Sequence, residues 1–168
     1  MSALHEITPE QISENVFNLI GKQWGLVTAG SKDHFNTMTV SWGGLGVFWA
    51  NPVAFIFIRP QRYTLEFLQK EKGFTLSFYD EKYRDALTLL GKKSGRDSDK
   101  ITESGLTPVF SDGTTYFEQA KLVLFCDKWY ENTMLPEHFL EKEMDSKFYS
   151  NHDYHHAFVS KIRKVLTR

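Results

Sequence analysis

Short runs with β-strand character, separated by turn signals, dominate this sequence and constrain its fold most. Alternating or wholly apolar runs of such length are typical of sheet strands. Gly-rich, Asn-Pro and Asp-Gly pairs stand between several of them and predict turns. Their spacing favours a closed antiparallel β-barrel, mainly β with added helices, in a single domain over residues 1–168. The runs cover residues 24–29, 36–42, 53–58, 74–79, 116–129 and 157–166.

Helical patterns interrupt the strand-like runs. Thr8, Pro9 and Gln11 have the spacing of a capping box with proline in the first turn, so an N-terminal helix is predicted within residues 1–20. Further helices are predicted over 64–72, over 80–90 with Asp80 as the cap, and over 98–103. Residues 132–151 have weak periodicity and predict an irregular excursion, of the kind that often covers a site or a partner.

The balance of charge and the cysteine content narrow the function classes. Lys plus Arg number 20 and Asp plus Glu number 21, which gives a net charge of −1. A general nucleic-acid or membrane-surface binder would need a basic excess, so neither partner is expected. The one cysteine indicates a reducing compartment, and no segment resembles a signal peptide or a membrane span. We therefore expect a cytoplasmic protein.

The run Asn36-Thr-Met-Thr-Val-Ser-Trp42 is unusually polar for a strand. Strand alternation separates its side chains into a hydroxyl face and a second face. The hydroxyl face consists of Thr37, Thr39 and Ser41, and the second face of Asn36, Met38, Val40 and Trp42. A row of hydroxyls beside a Gly-Gly turn suits the polar edge of a planar heterocycle. The alternative is an ordinary polar edge strand, because threonine is a good β-former.

Arginines flank the predicted start of the helix near residue 64. Helix N-termini offer unpaired N–H groups, and Arg59 and Arg62 add bidentate donors beside the Thr64 hydroxyl. The segment could seat a phosphate, or the arginines could be solvated while Thr64 caps the helix. The following basic loop, from Gly91 to Lys100, could close over the same anion. It lacks the P-loop pattern, however, and charge runs are usually solvated.

Histidines precede the last strand, in Asn151-His-Asp-Tyr-His-His156. A closed zinc site needs four convergent ligands, and Cys126 is far away in sequence, so no metal is predicted. A single histidine that faces a ligand as donor or proton shuttle is favoured, with a surface turn as the alternative. Cys126 itself lies in an apolar run and is predicted to be a buried, inert thiol.

Taken in order, these segments resemble the flavin reductase-like family, which has the FMN-binding split-barrel fold, and in particular its flavoredoxin-type branch. The resemblance extends from about residue 20 to the C-terminus. It is carried by residues 36–44, 51–60, 62–64, 74–78, 93–97 with Lys100, 105–108, and His155 ahead of the final strand. Ser160-Lys161 departs from the Gly-acidic pair common in the family, so no nicotinamide contacts are inferred there.

The resemblance implies a homodimer that binds FMN near the subunit interface. It implies a hydride transfer from NADH or NADPH to the flavin, whose electrons then pass to a partner protein or to free flavin. His155 would lie near the reactive face of the flavin as the catalytic residue. An FMN-bound electron carrier without direct NAD(P)H oxidation is the alternative, and haem or a deazaflavin as the flat ligand is a third. The implied FMN-binding residues are Thr37, Met38, Thr39, Val40, Ser41 and Trp42 along the ring, and Arg59, Arg62, Tyr63, Thr64, Lys93 and Ser94 around the phosphate.

Overall fold

The computed structural model describes residues 3–32 and 34–168, which form one large antiparallel sheet, a separate two-stranded hairpin and short helices. Its helices are α1 (Val16–Asn18), α2 (Tyr63–Lys70), α3 (Arg84–Lys92), α4 (Lys100–Ser104) and α5 (Lys142–Phe148). Its strands are β1 (His5–Ile7), β2 (Gly25–Ser31), β3 (His34–Val40), β4 (Gly43–Phe48), β5 (Asn51–Ile58), β6 (Gly73–Phe78), β7 (Pro108–Ser111), β8 (Thr114–Phe117), β9 (Leu122–Thr133) and β10 (His156–Thr167).

The large sheet is open. Its strands follow the order β3-β2-β6-β9-β10-β5-β4, and β1 pairs with β10. Within the described residues the edge strands β3 and β4 are not hydrogen-bonded to each other, so the prediction of a closed barrel was wrong in this respect. The reason is local. Gly43 has a φ of +151°, and a Cβ there would lie 2.4 Å from the carbonyl oxygen of Phe55, so glycine lets the chain leave β3 and pair with β5 instead.

Side chains from the two faces of the sheet form separate cores. Adjacent residues such as Leu26 and Val27 fall in different cores, as strand alternation requires. Helix α2 covers one face and contributes Leu68, whereas α3 covers the other and contributes Leu87. Fully burying each such side chain stabilises the fold by about 1.5–3 kcal/mol. The two helices therefore pack on opposite faces of β3, the strand that each of them contacts.

Most of the predicted strands are present. The run 116–129 is divided between β8 and β9, and the Asp112-Gly113 turn joins β7 to β8 with both residues at positive φ. Strands β1, β4 and β7 were not predicted. The sequence of β4, Gly-Gly-Leu-Gly-Val-Phe, has glycine at three of its six positions, which weakens a strand signal, and its pairing with β5 comes from tertiary contact.

The predicted N-terminal helix is broken. The Gln11 side chain accepts a hydrogen bond from the Thr8 N–H at 2.8 Å, as a capping box requires. Only a 3₁₀ turn follows, however, because the backbone becomes extended at Ile12 and Asn15 caps a new start at α1. Helix α1 continues as a π-helical turn, Leu19–Gln23, that buries Leu19 against the sheet. The capping signal was correct, and packing of the apolar residues interrupted the helix.

The other helical predictions differ mainly at their ends. A 3₁₀ turn, Glu81–Tyr83, leads into α3, and the Asp80 side chain makes no capping hydrogen bond there. Helix α4 is capped by Asp99, which accepts from the N–H of Thr102 at 3.2 Å. The stretch 132–151 is less irregular than predicted, since it contains the end of β9 and all of α5. Across residues 3–32 and 34–168, no helix is long and apolar enough to span a membrane.

Candidate functional site

Two cavities open beside the outer edge of β3, and both are lined by Met38 and Arg62. The larger cavity has a volume of about 340 Å³, within the range of small-molecule pockets. The smaller cavity measures about 110 Å³ and lies at the start of α2. The larger cavity is further lined by Thr39, Val40, Ser41, Trp42, Phe57, Arg59, Gly91 and His155. The smaller cavity is further lined by Asn36, Gln61, Tyr63, Thr64, Lys92, Lys93, Ser94 and Lys100.

The predicted hydroxyl face of β3 is mostly turned away from the cavities. Thr37 is fully buried, and its hydroxyl shares a 2.8 Å hydrogen bond with that of Thr28. The Thr39 hydroxyl donates to the carbonyl of Leu87 on α3. The prediction of a hydroxyl row facing a ligand was therefore wrong, because α3 covers that face. Only Ser41 brings a hydroxyl to the larger cavity with no hydrogen-bond partner among the described residues.

The backbone of β3 supplies the polar groups that its hydroxyls do not. Strand β3 pairs with β2 alone, so alternate N–H and C=O groups along its outer edge have no strand partner. The larger cavity is lined by the chain from Met38 to Trp42, which includes the end of this edge. The arrangement can hydrogen-bond the polar rim of a flat ligand through main-chain groups.

Aromatic rings form the wall and the mouth of the larger cavity. Trp42 packs edge to face on Phe148, with ring centroids 5.5 Å apart, and its ring is 5.4 Å from that of His155. Trp42 remains 46% exposed. Phe57 approaches His155 from β5 at 6.5 Å. This combination of a flat apolar wall and an open mouth suits a planar ligand that a second molecule can reach.

His155 lies in this wall and is neutral at neutral pH. It is only 6% exposed, and its Nδ1 is 2.8 Å from the hydroxyl of Tyr149. Burial, reinforced by the positive charge of Arg59, lowers the pKa of His155 to about 4. A neutral imidazole can donate or accept a hydrogen bond, but it is not an imidazolium acid at pH 7.

Arg59 lines the larger cavity and is absent from the smaller one. Its guanidinium pairs with Asp153 and donates to the carbonyl of Phe148 at 2.9 Å. Gln61 also donates to Asp153, at 2.8 Å. These contacts, with the hydrogen bond from Gln61 as the larger cause, lower the pKa of the Asp153 carboxyl. Arg59 thus anchors the segment after α5 beside the larger cavity, and its predicted contact with a phosphate stays a prediction.

The smaller cavity gathers the start of α2 and basic side chains. Arg62 donates to the carbonyl of Gly91 at 2.8 Å and borders both cavities. Burial lowers its pKa from the ordinary value. Thr64 is 1% exposed and its hydroxyl oxygen accepts from Asn36 Nδ2 at 2.8 Å, so its own hydrogen is available to an acceptor. Tyr63 begins the helix, whose first N–H groups have no intrahelical partner.

The two predicted residues of the following loop border the smaller cavity but are partly engaged elsewhere. The Lys93 ammonium pairs with Glu103 on α4. The Ser94 hydroxyl accepts from the backbone N–H of Arg96 at 3.2 Å. They line the cavity as predicted, with one donor of the Lys93 ammonium and the acceptor side of the Ser94 hydroxyl already engaged.

Six lining residues are absent from the predicted set of site residues: Asn36, Phe57, Gln61, Gly91, Lys92 and Lys100. Asn36 was assigned to the second face of β3, and its presence inside a strand was itself a signal, since asparagine is a poor β-former. Lys100 was noted only as part of the basic loop, yet it is 2% exposed. No feature of the local sequence pattern indicates that this lysine is buried.

The remaining histidines of the 151–156 segment do not converge. His152 contacts Tyr154 and His156 contacts Glu131 on β9. No group of three or more His, Cys, Asp or Glu side chains that could hold a metal is found among residues 3–32 and 34–168. Cys126 is buried as predicted, and burial raises the pKa of its thiol.

Comparisons with known proteins agree with this fold. An FMN-binding domain of a flavin reductases-like enzyme from Shewanella baltica matches with a TM-score of 0.71 and 15% identity, over 98% of this chain and 77% of that one. A flavoredoxin from Methanosarcina acetivorans matches with a TM-score of 0.66 and 19% identity, over 87% and 68% of the two chains. The flavin reductase of styrene monooxygenase from Pseudomonas putida matches with a TM-score of 0.62 and 13% identity, over 85% and 77%.

A search of curated proteins found no match. The family model of the flavin reductase like domain, however, matches residues 17–165. This match covers most of the chain. It includes both cavities, strands β2 to β9, and β10 except for its last two residues. The protein therefore belongs to the flavin reductase-like family.

Proposed function

We propose that the two cavities hold one FMN molecule, with the ring in the larger and the phosphate in the smaller, and that the protein is an FMN-dependent oxidoreductase. The observation that carries this proposal is the junction of the cavities at Met38 and Arg62. A flat, aromatic-walled space thereby continues into a basic one. Family membership and the FMN-binding relative named above support the same cofactor.

The residues present fit such a cofactor. The smaller cavity contains a buried lysine, Lys100, an arginine, and a buried hydroxyl on Thr64 with an unused hydrogen. These groups, together with the N–H groups at the start of α2, are the donors that a phosphate ester needs. The free edge of β3 offers main-chain partners to the polar rim of the ring.

When bound, FMN would supply the redox chemistry, accepting a hydride from NADH or NADPH and passing electrons to a partner protein or to free flavin. The protein's own task is to bind and orient the flavin and to leave its ring accessible to a second molecule. The outer edge of β3 orients the ring, and Arg62 spans the two cavities. The exposed mouth at Trp42 and Phe148 leaves room for a nicotinamide to stack. Neutral His155 offers a hydrogen bond to whatever lies in the larger cavity.

The test is anaerobic mixing of the FMN-loaded protein with NADH and with NADPH in a stopped-flow spectrometer. Loss of the yellow absorbance within seconds supports the oxidoreductase. Reduction by a protein electron donor with no response to either nicotinamide would favour the electron-carrier alternative instead. Failure of the apoprotein to bind FMN in a titration would refute both the oxidoreductase and the electron carrier.

A homodimer is part of the proposal. The β4–β5 hairpin exposes a row of apolar side chains, with Val47 76% and Trp49 52% exposed. Phe48 and Trp129 extend this row, the latter with its ring 6.4 Å from that of Trp49. Such a patch on an unpaired edge strand is typical of a protein interface. A cytoplasmic location remains a further element of the proposal, based on the single cysteine.

Light scattering on a size-exclusion column tests the dimer. Trp49→Ser is expected to shift the protein toward the monomer mass. The matched control is Phe17→Ser, which removes an aromatic ring of 87% exposure outside the hairpin. A wild-type protein that elutes as a monomer at micromolar concentration would refute the dimer.

A further inference from the structure

Tyr149 does not line the larger cavity, but its hydroxyl is hydrogen-bonded to a ring that does. The Tyr149 oxygen lies 2.8 Å from Nδ1 of His155. Both side chains are buried, so water competes little for this hydrogen bond. The other ring nitrogen, Nε2, has no hydrogen-bond partner among the described residues. It is therefore the polar atom that His155 can offer to the cavity.

The contacts around Tyr149 hold its hydroxyl in place. Tyr149 follows the last residue of α5, where its N–H donates to the carbonyl of Asp145 at 2.8 Å. Its ring stacks on that of Tyr154 with centroids 5.0 Å apart, and the guanidinium of Arg59 lies 5.1 Å from its centroid. Only two torsions place a tyrosine ring, so these contacts fix the direction from which the hydroxyl approaches His155.

The hydroxyl of Tyr149 has one hydrogen and two acceptors within reach. Sδ of Met134 lies 3.4 Å from the hydroxyl oxygen, in addition to Nδ1 of His155. A thioether sulfur is a weak acceptor, whereas a neutral imidazole has one nitrogen that accepts hydrogen bonds readily. This difference favours donation from the hydroxyl to Nδ1. The single proton of the neutral ring is then on Nε2.

The opposite arrangement would present a different group to the cavity. If Nδ1 donated to the Tyr149 oxygen, the hydroxyl hydrogen would be left to the sulfur of Met134, and Nε2 would be unprotonated. A bound ring would then meet an acceptor, whereas in the favoured arrangement it meets a donor. The direction of one buried hydrogen bond thus decides which ligand atoms His155 can contact.

We propose that Tyr149 is a positioning residue that holds His155 as the Nε2–H tautomer, so that the larger cavity receives a hydrogen-bond donor. The tautomer is a property of the protein without a ligand. The donation to a bound flavin rests on the proposed function and deepens it. A donor beside the ring favours the reduced state, because reduction adds negative charge and hydrogen bonds to charged groups are the stronger ones.

The first measurement is the protonation of the two ring nitrogens in the apoprotein at pH 7. Nitrogen-15 chemical shifts distinguish a protonated from an unprotonated imidazole nitrogen. The His155 signals are recognised among those of the six histidines by their loss in His155→Gln. We expect a proton on Nε2 and none on Nδ1 in the wild-type protein, and a mixture of both tautomers in Tyr149→Phe. The wild-type spectrum decides the tautomer even if Tyr149→Phe does not fold.

The second measurement compares the affinities of the protein for oxidised and reduced FMN. Midpoint potentials of the free and the bound flavin give the ratio of the two dissociation constants. Tyr149→Phe should shift this ratio against the reduced state by about 3-fold to 10-fold, the scale of one neutral hydrogen bond. For a two-electron couple this corresponds to a potential lower by about 15–30 mV.

Two control variants change neighbouring side chains and leave the Tyr149 hydroxyl in place. Tyr154→Phe removes a hydroxyl from the ring that stacks on Tyr149. Met134→Leu removes the competing sulfur. Both variants should retain the wild-type tautomer of His155 and a ratio of affinities within about twofold of the wild-type value.

The two measurements separate this inference from the proposed function. A proton on Nδ1 in the wild-type apoprotein overturns the inference, as does the same tautomer in the wild type and in Tyr149→Phe. A changed tautomer with an unchanged ratio of affinities overturns the donation from His155 to the bound ring. An equal shift in Tyr154→Phe overturns it too, because that would indicate a general disturbance of the segment after α5. If the protein binds no flavin, the proposed function fails, and the apoprotein spectra still decide the role of Tyr149.

Discussion

Replacing Arg59 and Arg62 one at a time distinguishes the two cavities. Arg62 borders both cavities and uses one guanidinium nitrogen on Gly91, which leaves other donors for a ligand. Loss of a charge-assisted hydrogen bond costs about 1.5–3 kcal/mol, or roughly 10-fold to 150-fold in affinity. Arg62→Met should therefore reduce the ratio of FMN affinity to riboflavin affinity by that factor.

Arg59 should behave differently, although the sequence alone predicts the same role for both arginines. Its guanidinium is committed to Asp153 and to the carbonyl of Phe148, outside the smaller cavity. Arg59→Met releases the segment after α5 and should change the binding of FMN and riboflavin by the same factor, leaving their ratio within about twofold.

The assay is a fluorescence titration of each apoprotein with both flavins at pH 7, where Lys100 is mostly charged. Circular dichroism spectra of the variants control for folding. A selective loss of FMN in Arg59→Met, with no selective loss in Arg62→Met, would refute the assignment of the phosphate to the smaller cavity.

Further predictions concern stability. The pKa of His155 is lowered from 6.5 to about 4, so below pH 6.5 the unfolded state binds a proton that the folded state does not. The free energy of unfolding should thus fall by about 3 kcal/mol between pH 6.5 and pH 4. Denaturant titrations should find a fall smaller by this amount in His155→Gln. An equal fall in the wild-type protein and in the variant would contradict the prediction. A Cβ at Gly95 would lie 2.4 Å from Asn36 Oδ1, so Gly95→Ala should cost about 1–3 kcal/mol by disturbing a buried hydrogen bond. Thermal unfolding of Gly21→Ala, where nothing lies within 4 Å, is the control, and equal losses would argue against this contact. Ala50 has a φ of +56° in the β4–β5 turn, and Ala50→Gly should raise stability by about 0.5–1 kcal/mol; a lower melting temperature would count against strain there.

Local signals were sufficient for several parts of the fold. The Asp112-Gly113 pair forms the two-residue turn that its chemistry favours, because both residues adopt positive φ readily. The apolar run of β5 and the helix that begins near Thr64 lie where the sequence predicts them. By contrast, the Trp49–Ala50 turn has positive φ without glycine or asparagine, so only the pairing of β4 with β5 explains it.

The candidate site likewise has features that the sequence predicts and features that only the tertiary structure decides. Residues 38–42, Arg62, Thr64 and His155 were predicted, and the structure brings them to two adjoining cavities. Thr37 and Thr39 were predicted on the correct common face of β3. That face is covered by α3, so their hydroxyls bond to protein groups. Alternation identifies which side chains share a face, but it does not identify what packs against that face.

The sequence by itself therefore determined the strand-rich architecture, the Asp112-Gly113 turn and the polar composition of β3, because each depends on residues close together along the chain. Only the tertiary structure decided that Arg59 lies with Asp153 and that Lys100 is buried beside Arg62. The physical reason is that burial and charge neighbourhood depend on segments far apart in sequence. A lysine in a basic loop carries no local sign of whether water or a protein cavity surrounds its ammonium.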